Sequence, residues 1–160
     1  MKLAVACDHA GFPLKGTVVA TLRELGHTVE DLGTNSTEAV DYPDYARAVA
    51  AAVRSGECER GIVICGSGVG ASVAASKVPG VRAAMCHDTF SARQGVEDDD
   101  MNVLSIGARV IGSALAAEVV GAFVRAKFSG AERHARRLAK VNAIEEDARR
   151  GVFDAARRIP

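Results

Sequence analysis

The sequence predicts an α/β fold, a three-layer α/β/α sandwich in which helices cover both faces of a five-stranded parallel sheet. Three observations predict it. Short apolar runs of strand length alternate with segments of helical periodicity. The runs are apolar at consecutive positions rather than at every second one, so both faces of each strand must be buried, as in parallel sheets. The stretches between them have room for helices, and such crossovers are right-handed.

The first strand spans Leu3 to Cys7. Pro13 opens a helix, because proline pre-sets a helical φ and lacks only an N–H that the first turn could not pair. Leu14, Val18, Leu22 and Leu25 recur on one face of it, and Gly26 stands where a C-cap glycine belongs. Thr28 to Leu32 is the second strand, and Pro43 opens a second helix with Ala46, Val49 and Val53 on one face. Gly61 to Cys65, Val81 to Cys86 and Asn102 to Ile106 supply the remaining strands. A helix from about Ser113 to Lys127 follows. Ser129-Gly130-Ala131-Glu132 then has the spacing of a capping box and predicts a last, charged helix through about Arg149. The expected organisation is one domain over residues 1–148 and a C-terminal tail over 149–160 that carries no readable signal.

At 160 residues, 48% hydrophobic and 25% charged, the chain can bury one substantial core. Lys plus Arg and Asp plus Glu both total 20, so no global basic field gathers nucleic acid or an anionic membrane, and any anion site must be local. The apolar run after Met1 meets Asp8 and His9 too soon for a signal peptide or a membrane span, and a cytoplasmic protein is expected. Cys7, Cys58, Cys65 and Cys86 show no CxxC spacing, so reduced thiols are expected.

Ligands of an open parallel sheet bind beyond the carboxyl ends of its strands. Two clusters stand there, Asp8-His9-Ala10-Gly11 and Cys65-Gly66-Ser67-Gly68-Val69-Gly70, and the acidic run Glu97 to Asp100 before the fifth strand is a third candidate. The glycine loop leaves a strand and enters a helix. Its backbone N–H groups and the helix dipole can hold a phosphate, a carboxylate or a developing oxyanion, although a tight turn that needs positive φ would leave the same pattern. Cys65 sits at the strand end just before the helix N-terminus, where the positive dipole end favours thiolate over thiol and suits a base or nucleophile. Cys7, Cys58 and Cys86 read as buried structural thiols.

Spacing tests other uses of the loop. A dinucleotide fold wants GxGxxG, but the loop reads GxGxG; a P-loop wants GK[ST], but no Lys follows; a Cys-based phosphatase wants an Arg where Ala71 stands. Cys7, His9, Cys65, Cys86 and His87 lack zinc-motif spacing, so no metal is expected. Arg133 and Arg137 share a helix face near the start of the last helix, where positive charge opposes the macrodipole. A bound anion would answer that charge; a solvated cationic face is the alternative. Arg109, in Gly107-Ala108-Arg109-Val110-Ile111-Gly112, is a further candidate phosphate contact.

Together Asp8 to Gly11, Cys65 to Gly70, Ser76-Lys77-Val78-Pro79-Gly80-Val81-Arg82-Ala83, Asn102-Val103-Leu104 and Gly107 to Gly112 resemble the ribose 5-phosphate isomerase B family, which includes galactose and allose 6-phosphate isomerases. The resemblance runs in order from about residue 1 to 148. It implies a Rossmann-like homodimer without metal or cofactor, in which both subunits complete each active site and the C-terminal helix reaches the partner. It implies interconversion of ribose 5-phosphate and ribulose 5-phosphate, with another sugar phosphate as the alternative. Cys65 would be the base that moves a proton between C2 and C1, and the Gly66, Ser67, Gly68, Val69 and Gly70 backbone would hold the enediolate oxygens. Asp8, His9 and Arg109 would contact substrate, and Arg133 and Arg137 its phosphate.

The sequence departs from the family pattern where a histidine that assists furanose ring opening, followed by Asn or Asp, is usual: Asp98 and Asp99 stand there. Ser67 replaces a common Thr and Ser76 a common Asn. Two other classes remain open. One is a sugar-phosphate or nucleotide sensor that has lost catalysis. The other is a dinucleotide-dependent oxidoreductase, because Asp88 follows the glycine turn by roughly the twenty residues that its fingerprint requires.

Overall fold

The computed structural model describes residues 1–152, so most of the tail expected from residue 149 lies outside the described residues. Packing divides the chain into two units, Met1–Phe128 and Ser129–Pro160. The first unit alternates strand and helix as expected: β1 (Lys2–Cys7), α1 (Phe12–Glu24), β2 (Thr28–Asp31), α2 (Tyr42–Arg54), β3 (Arg60–Cys65), α3 (Val69–Ala75), β4 (Ala83–Met85), α4 (Thr89–Asp99), β5 (Val103–Gly107) and α5 (Ser113–Arg125). The five strands form one parallel sheet in the order β2-β1-β3-β5-β4. The expected three-layer α/β architecture is the one observed.

Both faces of the central strands β1, β3 and β5 are buried, which is why they read as unbroken apolar runs, whereas the edge strand β2 carries Glu30 and Asp31 and buries no residue fully. Leu3, Val5, Cys7, Ile62, Ile64, Leu104 and Ile106 point to one side, with Leu14, Val18 and Leu22 of α1 and Val119, Val120 and Phe123 of α5. Ala4, Ala6, Val63, Cys65 and Val103 point to the other, with Ala46, Val49 and Ala50 of α2 and Ala71 and Ala75 of α3. Two cations, the half-buried Arg60 and the buried Lys15, tie helices to the sheet. Arg60 donates to the Phe123 and Ala126 carbonyls at 2.6 and 2.9 Å, at the α5 end where the helix dipole is negative. Lys15 of α1 donates to Asp31 Oδ1, the Thr34 carbonyl and Asn35 Oδ1 at 2.8, 2.7 and 3.0 Å, so its buried charge is fully partnered.

Strand order fixes where a ligand can bind. From β1 the chain runs outward to β2, then returns across to β3 and beyond, so the topological switch point lies between β1 and β3. Their carboxyl ends carry Asp8 and Cys65. Gly11, in the turn after β1, packs directly over the Ile64 carbonyl, where a β-carbon would collide.

Three expectations need adjustment. β4 covers only Ala83–Met85 of the apolar run Val81 to Cys86, because it is an edge strand entered through the positive-φ turn at Gly80. α4 was not foreseen: it buries only Ala92 and Val96 and so shows little apolar stripe, while Asp88 caps it by accepting the Ser91 N–H at 2.7 Å. In the second unit, α6 (Glu132–Arg149) starts behind Ala131 with no side-chain cap, so the Ser129 capping box does not form.

Gly11 has a φ of −84°, which alanine adopts without strain, so Gly11→Ala tests the close approach alone. The variant is expected to lose about 1–3 kcal/mol of stability, read as a lowered urea midpoint. A midpoint equal to that of the unaltered protein would contradict the packing described.

Candidate active site

The turn after β1, the turn after β3 and the turn after β5 converge on a cleft of about 410 Å³ lined by Asp8, His9, Ala10, Tyr42, Cys65, Gly66, Ser67, Gly70, Arg109 and Val110. Six expected site residues besides Cys65 therefore meet there: Asp8, His9, Gly66, Ser67, Gly70 and Arg109. Gly68 and Val69 belong to the same loop but do not line the cleft.

Cys65 is 4% exposed and forms the floor at the β3 terminus. The Gly68 N–H donates to its Sγ at 3.1 Å, a bond that favours negative charge on sulfur. Gly68 reaches this position with φ of +84°, and its carbonyl is fixed from behind by the buried Ser105 hydroxyl at 2.6 Å. A β-carbon at Gly68 would also press on Met85 and on the Gly107 backbone, so glycine is required twice over. The other thiols have no comparable setting. Burial pushes Cys7, Cys58 and Cys86 up to about 11, which keeps them protonated at neutral pH.

Asp8 is buried, and its Oδ1 accepts the Gly11 N–H at 2.8 Å, which closes the turn between β1 and α1. His9 Nδ1 lies 3.1 Å from the Val40 carbonyl and 3.2 Å from the Val40 N–H, so this ring edge is spent on the segment before α2. Its Nε2 edge is the one that can serve a ligand in the cleft. Arg109 supplies the cation: its backbone N–H is held by the Gly66 carbonyl at 3.0 Å, and its side chain lies 3.6 Å from where a Gly66 β-carbon would be. A cleft with an aspartate, an imidazole, a guanidinium and a thiol beside backbone donors suits proton transfer next to a carbonyl on an anionic substrate.

Tyr42 lines the cleft although the sequence reading passed over it. Its ring packs where a Gly70 side chain would stand, 2.7 Å from the ideal β-carbon position. The available signal was an aromatic residue directly before the helix-opening Pro43. His87 is the second omission. Its Nε2 accepts the Gly107 N–H at 2.9 Å and so holds the end of β5, which in turn packs on the Ser67 backbone.

Asp98 and Asp99 do not line this cleft. They sit on the last turn of α4, which ends at the amino ends of the strands, beside the Arg82–Asp100 pair at 2.6 Å. Asp98 Oδ2 accepts from Gln94 Nε2 at 2.6 Å. Arg133 and Arg137 belong to α6 in the second unit. Among the described residues, no group of three or more His, Cys, Asp or Glu is arranged to hold a metal ion, and no helix is long and apolar enough to cross a membrane.

Burial lowers the His87 pKa in the folded protein below its ordinary value near 6.5. The unfolded chain then binds the proton first as pH falls. The stabilisation from neutral His87 is thus complete above the ordinary value and is lost as pH falls through it toward the lower folded one. The stability gap between the unaltered protein and a His87→Leu variant, measured by urea unfolding, is expected to shrink between pH 7.5 and pH 5. A gap independent of pH would contradict this role.

Known proteins resemble this chain in sequence and fold. The family described as Ribose/Galactose Isomerase matches residues 3–141. Ribose-5-phosphate isomerase B of Escherichia coli is 48% identical over 91% of this chain and 97% of its own. D-erythrulose-4-phosphate isomerase of Pectobacterium atrosepticum is 42% identical over 81% and 86%. The solved structure of Clostridium thermocellum ribose-5-phosphate isomerase B superposes with a TM-score of 0.90 at 47% identity, covering 92% of this chain and 99% of that one. By sequence and by fold, the chain belongs to the ribose/galactose isomerase family of aldose–ketose isomerases.

Proposed function

We propose that the protein interconverts ribose 5-phosphate and ribulose 5-phosphate through an enediolate, with Cys65 as the base. The observation that carries the mechanism is the Cys65 sulfur, held by the Gly68 N–H on the floor of a cleft that also contains Arg109. The substrate follows from the 48% identity to an isomerase named for it. The Cys65 thiolate takes the proton from C2 of the open aldose and the electron pair moves to form the enediolate; the O2 hydroxyl proton passes to O1, and the Cys65 thiol, exchanging with solvent while the enediolate is held, delivers a proton to C1 as the ketose forms. The loop backbone from Gly66 to Gly70 faces the developing oxyanion, and Asp8 and His9 hold hydroxyls of the sugar. The reaction is redox-neutral within one molecule and needs no cofactor.

The site is completed by a second copy of the chain in a homodimer. Met85, Phe90, Val110 and Leu115 leave large apolar surface exposed on elements at the carboxyl side of the sheet, as do Val69 and Val73 of α3. Asp98 and Asp99, remote from the cleft of their own chain, then serve the partner's cleft, as do Arg133 and Arg137 through contacts to the substrate phosphate. Four thiols without a disulfide suit the reducing cytoplasm.

A second reading is favoured by Asp98, which replaces the histidine expected to assist ring opening. A tetrose 4-phosphate cannot close a furanose ring, because its O4 carries the phosphate, and so requires no such acid. The relative that acts on D-erythrulose 4-phosphate makes this a concrete alternative.

Proton NMR in D2O with ribose 5-phosphate tests the first reading. Ribulose 5-phosphate is expected to form with deuterium at the exchanged carbon, and Cys65→Ala is expected to lose at least about a hundredfold in rate. Exchange that persists in Cys65→Ala would remove Cys65 as base. Comparison of kcat/KM on ribose 5-phosphate and D-erythrulose 4-phosphate separates the two substrates. A higher value on the pentose supports the first reading, and a higher value on the tetrose supports the second.

A further inference from the structure

The hydroxyl of Ser129, which does not cap α6, is used elsewhere. Ser129 Oγ lies 2.7 Å from His134 Nδ1 and accepts the Ala131 N–H at 3.3 Å. The other ring nitrogen, His134 Nε2, accepts from Arg133 Nε at 2.9 Å. A nitrogen that accepts cannot carry the proton, so the ring is the neutral tautomer with its proton on Nδ1, donated to Ser129. A directed chain of hydrogen bonds thus runs from Arg133 through His134 to Ser129. His134 is 4% exposed, whereas Arg133 is exposed on the first turn of the helix.

We propose that His134, oriented by Ser129, is a positioning residue that sets the Arg133 guanidinium for the substrate phosphate. The inference rests on the reading above that Arg133 binds that phosphate. An arginine has five N–H donors, and bidentate recognition of a phosphate requires a pair of them in a fixed plane. Engagement of Nε by the buried imidazole fixes the plane and leaves the two terminal nitrogens to face the ligand. A long side chain that is already set loses less freedom when the phosphate binds, so the gain falls on substrate affinity rather than on the proton transfer. The sequence bears the mark of this arrangement, since Ser129 forgoes the helix cap that its spacing from Glu132 would allow.

Steady-state kinetics on ribose 5-phosphate test the inference with His134→Phe, His134→Gln, Ser129→Ala and Arg133→Ala, and with the first and third combined singly with Arg133→Ala. His134→Phe is expected to raise KM about tenfold while kcat stays within about twofold. His134→Gln, which keeps one donor and one acceptor, is expected to recover most of the loss. In the Arg133→Ala background, neither His134→Phe nor Ser129→Ala should raise KM further. Should His134→Phe fail to fold, Ser129→Ala alone and in that background gives the same test, with a KM rise of about threefold expected only when Arg133 is present. Arg133→Ala that raises KM while the His134 and Ser129 variants do not would overturn the inference and leave the phosphate reading standing. Equal effects with and without Arg133 would show a structural role and also overturn it. An unchanged KM in Arg133→Ala would defeat the phosphate reading and the inference with it.

Discussion

At the carboxyl end of β3, backbones meet at separations that leave no room for a β-carbon: Gly11 lies over the Ile64 carbonyl, and Gly107 lies over Ser67. These two contacts seat the first and fifth turns against the Cys65–Gly70 loop and make one cleft from three separate loops. Parallel pairing brings the strand ends together, and the reversal of strand order between β1 and β3 leaves the opening. Each side chain that the proposed chemistry needs from this unit then arrives within a few residues of a strand end. Gly68 completes the arrangement, because only a positive-φ residue can aim its N–H at the sulfur while its carbonyl is held by Ser105.

The chemistry depends on local rather than global charge. The chain is balanced in formal charge, yet the cleft gathers one guanidinium, one imidazole and backbone donors around a single thiol. Three cysteines of the same chain are held protonated by burial, so possession of a thiol decides nothing by itself. What separates Cys65 is an N–H directed at its sulfur. The same economy appears in the second unit, where one buried imidazole presents one face to Arg133 and the other to Ser129.

Much of the fold was legible because both-face burial writes an unbroken apolar run and a helix-opening proline marks each early helix. The glycine loop was legible because its neighbours, a strand-end cysteine and a helix start, narrow its uses. α4 was not, since it buries only Ala92 and Val96 and its polar surface hides the period. That Asp98 stands at the amino ends of the strands follows from its place just before β5, but its position on the last turn of a helix became visible only with α4. Tyr42 and His87 act through three-dimensional neighbours, Gly70 and Gly107, that lie far away in sequence. The Ser129 capping box failed because a stronger acceptor role, toward His134, competed for the same hydroxyl.

Thiol alkylation followed by peptide mapping tests most directly whether Cys65 is set apart by its surroundings. With iodoacetamide at neutral pH, the account predicts that Cys65 is modified at the rate at which isomerase activity is lost, that ribose 5-phosphate slows both, and that Cys7, Cys58 and Cys86 react only after unfolding. Full activity in protein alkylated at Cys65, or loss of activity with Cys65 unmodified, would contradict it.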